Sequence, residues 1–125
     1  MRANNAIGAY GEQVAVQHLE NAGYTVVDRN WRCDLGEIDA VALTPEDPAG
    51  RQSVVVCEIK TRRGFGFGSG FDAVTPAKAA RLRRLGHRWL AEHGASPGAA
   101  MRFDLLAVHI MRRGEPRVEH LQGAL

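Results

Sequence analysis

The sequence predicts an α/β or α+β domain in which a mixed sheet of four to five strands is flanked by helices, in the order α-β-β-β-α-β with a candidate last strand at the edge. Two observations carry this. Three consecutive runs rich in β-branched and aromatic residues lie between two segments whose apolar residues recur at helical spacing. The chain is 125 residues long and 45 % hydrophobic without a long polar tract, the size at which one core forms, so residues 1–125 are expected to make a single domain.

The first helix is predicted over residues 5–22, where Ile7, Val14, Ala15, Leu19 and Ala22 share one face and Gly23 supplies a C-terminal stop. Tyr24-Thr25-Val26-Val27 and the stretch to Trp31 form the first strand, and residues 35–43 and 53–61 the second and third. Between those two, residues 44–50 hold two prolines, two acids and a glycine, the composition of an exposed turn. A glycine-dense stretch follows over 62–71. Thr75 then suits an N-cap and Pro76 the first position of a second helix running to about His93. A Gly/Pro-bearing break over 94–98 precedes a fourth strand at 101–110, and residues 117–121 are the candidate fifth at the edge.

Composition narrows the partners by exclusion. The formal net charge of +2 identifies no partner, so the placement of charge matters more than its sum. Met1-Arg2-Ala3-Asn4-Asn5 leads into an amphipathic segment without an apolar signal region, and no apolar run reaches membrane-spanning length; neither secretion nor membrane insertion is expected. Cys33 and Cys57 lie in separate strands and form no C-x-x-C pair, which reads as reduced thiols in a cytoplasmic protein. His18, His87, His93, His109 and His120 are scattered without the spacing of zinc ligands.

The chemistry is concentrated in the second and third strands. Val54, Val55 and Val56 read as a buried interior strand, yet the same strand places Glu58 and Lys60 on one face by period-two alternation. In the preceding strand Asp39 sits among Ile38, Ala40 and Val41, where an isolated carboxylate is costly, and alternation puts Glu37 and Asp39 on the face of Val41 and Leu43. If the two strands are adjacent, about 4.8 Å apart, Asp39 and Glu58 can converge on one hard cation with the Ile59 backbone carbonyl as third oxygen. Lys60 would then orient or help deprotonate the attacking water and stabilise charge on phosphorus oxygens. The same three side chains also admit a plain cross-strand ion pair.

Glu12 falls at the margin of the first helix's apolar stripe, beside Gly8, Ala15 and Leu19. It points to the sheet edge either as an auxiliary acid or as an ordinary boundary glutamate paired with an arginine. Gly8 and Gly11 lower helix propensity, which suggests a close approach of backbone or substrate. Gly64, Gly66 and Gly68 match neither a P-loop nor a dinucleotide fingerprint. Arg62 and Arg63 with Phe65, Phe67 and Phe71 instead fit a flap that touches phosphates and stacks on bases, or a loop that tucks its rings into the core. Lys78, Arg81, Arg84 and Arg88 form a basic stripe on the second helix with few opposing acids, a solvated face or a grip on a phosphate backbone.

Taken in order, Gly11-Glu12, Arg29-Asn30-Trp31-Arg32, Gly36-Glu37-Ile38-Asp39, Glu58-Ile59-Lys60-Thr61-Arg62, Ala73-Val74 with Lys78, and Arg102-Phe103-Asp104 resemble the YraN-like family of small bacterial proteins. That family is assigned to the restriction-endonuclease-like PD-(D/E)xK superfamily and is similar to archaeal Holliday-junction resolvases. The likeness runs from about Gly8 to Ala107. It implies a restriction-endonuclease-like mixed sheet, Asp39 and Glu58 as ligands of Mg²⁺ or Mn²⁺, Lys60 as catalytic lysine and Glu12 as auxiliary acid. It also implies nucleic acid, most often DNA, as substrate in repair or recombination, branched DNA included, and permits a homodimer. A module that keeps the fold and binds nucleic acid or a protein partner without turnover is the alternative. Ile38 stands where the superfamily has proline before the aspartate, and Cys57 where an apolar residue is usual.

Overall fold

The computed structural model describes residues 3–64, with backbone alone for 3–5, then 75–94 and 99–125. Phe65, Phe67 and Phe71 of the expected flap, and Ala73-Val74, lie outside the described residues.

Seven elements follow the expected order: α1 Ala3–Asn21, β1 Thr25–Cys33, β2 Gly36–Leu43, β3 Val54–Arg63, α2 Pro76–Glu92, β4 Met101–Ile110 and β5 Arg117–Leu121. The strands form one five-stranded mixed sheet in sequence order, and only β3 and β4 run parallel. Parallel neighbours need a crossover, and α2 supplies it. The edge strand at 117–121 is present and pairs antiparallel with β4.

α1 ends where a glycine permits it. Gly23 adopts φ +90, its N–H donates to the Glu20 carbonyl at 3.0 Å, and the Tyr24 N–H donates to the Leu19 carbonyl at 3.0 Å, the paired bonds of a Schellman stop. Ala15 and Leu19 then bury against Ala40, Ala42, Val55, Cys57, Leu106 and Val108 on one side of the sheet. α2 is started by the Thr75 hydroxyl, which accepts from the Lys78 N–H at 3.1 Å, with Pro76 in its first turn. It lays Leu82, Leu85 and Trp89 on Ile38, Val41, Val54, Val56 and Phe103 on the other side. Each sheet face therefore has its own core, and β3 and β4, covered on both, are apolar in nearly every central position.

Two expectations are corrected. β3 runs through Arg63, so Arg62 and Arg63 are not flap residues: they extend the ladder opposite His109 and Ile110 of β4. Strict alternation in β2 also fails at Asp39. Ile38 packs in the same core cluster as Val41 and Leu43, three and five residues on, so Asp39 does not simply share their face. β1 is irregular alongside, with a register shift between Val26 and Asp28 and Asn30 at φ +52. These breaks in pleat free Asp39 from both cores.

Candidate functional site

β2 and β3 pair from Leu43–Val54 to Ala40–Cys57, and the ladder ends there. Continued for two more residues, the same register would set Ile38 opposite Ile59. Instead the Ile59 N–H donates to the Asp39 carboxylate, Oδ2, at 2.8 Å. A side chain has replaced a backbone partner, and the strands part at this point. The N–H and C=O of one strand residue point to the same side, so the Ile59 carbonyl also faces the gap.

Around that gap the sheet gathers acids. Burial first, then Glu58, with further contributions from Glu12 and Glu37, push the Asp39 carboxyl from 3.8 up to about 7, against the pull of the Ile59 amide. Glu58 follows Cys57 on β3, and its Oε1 lies 3.6 Å from the Lys60 ammonium two residues along the same face. Both side chains are more than two-thirds buried, at 27 % and 29 % exposure. Glu12 is half-buried on α1. Glu37 meets Arg32 at 3.1 Å. Of the expected cation ligands, Asp39 meets the Ile59 amide directly, and Glu58 is near enough to raise the Asp39 carboxyl. Among the described residues no group of three His, Cys, Asp or Glu side chains is assembled as a metal cage, and the expected set has only two side chains.

Separate clefts lie on the two faces of the sheet here. On the α1 side, Gly11 lets the helix approach β3 so closely that a Cβ there would stand 1.8 Å from the Thr61 hydroxyl oxygen. The expected close approach at Gly11 is thus made by Thr61. A cleft of about 330 Å³ beside it is lined by Ile7, Gly8, Glu12, Ile59, Thr61 and the two arginines ending β3. On the α2 side, Glu37, Glu58 and Lys60 line a narrow groove with Lys78 and Arg81. Arg84 is exposed one turn on. Arg88 departs from the expected basic stripe: it is hydrogen-bonded to Asp34 of the β1–β2 turn, and its Nε donates to Glu92 at 2.9 Å. Two acids oppose this arginine where few were expected.

Sequence reasoning missed a second polar cluster. Asp104 of β4 is fully buried and accepts from Arg102 Nε at 2.8 Å and Nη2 at 2.7 Å, from the Gly123 amide at 2.9 Å, and pairs with His120 at 2.7 Å. Arg102 also donates to the Tyr24 hydroxyl at 2.7 Å. Burial alone would raise the Asp104 carboxyl, but His120, Arg102 and the Gly123 amide together hold it below its ordinary value. An acid inside a strand buried on both faces was the available signal. Cys57 is buried too, and burial followed by Asp104 drives its thiol far up, so it is an inert packing residue. His109, also buried, meets Glu119 at 2.5 Å.

A five-stranded mixed sheet between two helices, in the order αβββαββ with acids at the parting of β2 and β3, is consistent with a restriction-endonuclease-like fold. The chain belongs to the family described as "Uncharacterised protein family UPF0102", whose model matches residues 11–108, and this is the YraN-like family of the resemblance. It is 49 % identical over 123 residues to a UPF0102 protein of Kineococcus radiotolerans, covering 98 % of this chain and 96 % of that one. A UPF0102 protein of Parafrankia sp. is 50 % identical over 124 residues, covering 99 % of each. One from Beutenbergia cavernae is 52 % identical over 123 residues, covering 98 % of each. Among the described residues no helix is long and apolar enough to cross a membrane.

Proposed function

We propose that the protein is a Mg²⁺- or Mn²⁺-dependent endonuclease that hydrolyses phosphodiester bonds in DNA, acting in the cytoplasm in repair or recombination. The supporting observation is that Asp39 takes the Ile59 amide where β2 and β3 part, with Glu58 and Glu12 near enough to raise its carboxyl and Lys60 3.6 Å from Glu58. Burial and neighbouring acids make the charged Asp39 carboxylate costly unless a cation joins it.

The donor set fits a hard divalent ion, because carboxylate and carbonyl oxygens are its preferred ligands. Asp39, Glu58 and the Ile59 carbonyl would hold it, and when bound it supplies the charge that activates water and offsets the phosphate. Lys60, on the β3 face with Glu58, stabilises negative charge developing on phosphorus oxygens. Glu12 orients water from the α1 side. Arg62, Arg63, Lys78, Arg81 and Arg84 hold flanking phosphates, while Arg88, with its charge met by Asp34 and Glu92, contributes least.

Nicking of plasmid and branched DNA with Mn²⁺ tests this. Asp39→Asn and Lys60→Ala should each lower the rate by about 10²- to 10³-fold. Cleavage that survives both substitutions would overturn the assignment. The Glu58–Lys60 pair also suits a binding module without turnover. The two readings part on metal: a ligated ion raises the melting temperature of the wild type and not of Asp39→Asn, whereas a module without the ion shows no shift.

A further inference from the structure

Hydrolysis at the gap between β2 and β3 does not by itself account for the cleft on the α1 side. We propose, building on the nuclease reading, that this cleft takes one unpaired nucleotide of the strand being cut. The substrate is then DNA with an unpaired segment beside the scissile bond rather than a continuous duplex.

Four observations lead there. The cleft's volume, about 330 Å³, lies at the small end of ligand pockets, ~300–1,000 Å³, room on the scale of one nucleotide. Its lining is mixed as a nucleotide is mixed: Ile7 and Ile59 offer apolar surface, and Arg63 follows Ile59 and Thr61 on the same strand face by alternation and supplies a cation for phosphate. Glu12 joins the cleft to the acids around Asp39, so an occupant lies next to the chemistry.

The fourth observation is the contrast between two glycines of α1. Each lowers helix propensity relative to alanine. Gly11 is explained by packing, since a Cβ would collide with Thr61. Gly8 is not: among the described residues, a Cβ built there meets nothing within 4 Å. Nothing among the described residues requires glycine at position 8, which lines the cleft. Gly8 keeps that volume open.

The test measures affinity by fluorescence anisotropy, with EDTA present so that nothing is cut. Two labelled DNAs are compared, one fully paired and one of the same sequence with a splayed single-stranded arm. The wild type is expected to prefer the splayed DNA by about tenfold, the gain typical of one base lodged on protein. Gly8→Leu, which fills the cleft while improving helix propensity, should bind both DNAs alike at a melting temperature no lower than wild type. Gly8→Ala should fall between, and Arg63→Ala, which removes the cleft's cation, should weaken the splayed DNA more than the paired one. Equal affinities in the wild type, or a preference that survives Gly8→Leu, would overturn the proposal. Mn²⁺-dependent cutting of the paired DNA that Gly8→Leu leaves untouched also overturns it, with the nuclease reading intact. A preference lost in Gly8→Leu without cutting of either DNA upholds the cleft and defeats the nuclease reading.

Discussion

Asp39 holds its proton to about pH 7 because burial and then Glu58 penalise its charged form, and this gives the metal-free protein one pH-dependent contribution to stability. The folded-state value lies above the ordinary 3.8, so the folded chain binds that proton more tightly than the unfolded one. The resulting stability is whole below about pH 4 and is lost as pH rises through about 7. Asp39→Asn keeps an acceptor for the Ile59 amide and removes the charge. Without metal it should match the wild type at pH 4 and exceed it at pH 8 by up to a few kcal/mol, at ~1.4 kcal/mol per pH unit. Thermal unfolding across that range checks this, and a variant no more stable than wild type at pH 8 would show that Asp39 carries no such strain. Asp39, Glu58 and Lys60 were legible in the sequence because charge inside apolar strand runs needs a reason. Which way Asp39 turns was not, since the pleat breaks that free it depend on Asn30 and on the pairing of β1 with β2. The engagement of Arg88 was hidden for a related cause: Asp34 lies 54 residues away and meets it only after α2 docks.

At the scale of elements, local signals located most of the architecture. Gly23, Thr75 and Pro76 act within one turn of their own position, so the end of α1 and the start of α2 were readable. The end of β3 was not. Arg62 and Arg63 have neither strand propensity nor an apolar pattern, and they extend the strand because β4 offers a parallel partner as far as Ile110. The Asp104 cluster joins β4 to β5, to the last residues of the chain and, through Tyr24, to the start of β1; its partners come from places that local pattern cannot connect. Asp104→Ala leaves the Arg102 guanidinium without its carboxylate beside a buried core and should destabilise the fold by about 3–5 kcal/mol. Denaturant unfolding measures this. A loss below about 1 kcal/mol would reduce the cluster to surface-like pairing.

For the molecule as a whole, 16 basic and 14 acidic residues nearly cancel, so any affinity for a polyanion must come from how they are arranged. The acids around Asp39 repel phosphate, whereas Lys78 and Arg81 border the groove that holds Glu58 and Lys60, with Arg84 exposed beside them. A DNA backbone laid along α2 would thus be drawn toward the gap from its basic flank, and a bound divalent ion would cancel the repulsion at the gap itself. Each lysine or arginine that neutralises a phosphate releases counterions, so its removal should lower the slope of log affinity against log salt by about one. Lys78→Ala and Arg84→Ala are each expected to do so. Arg88→Ala should leave the slope unchanged, because Asp34 and Glu92 already meet its charge, while loosening α2 from the β1–β2 turn. Titrations of labelled DNA at several salt concentrations separate these outcomes. Equal slopes for all four proteins would place the nucleic acid somewhere other than α2, and a slope lowered only by Arg88→Ala would mean that its ion pairs break when DNA arrives.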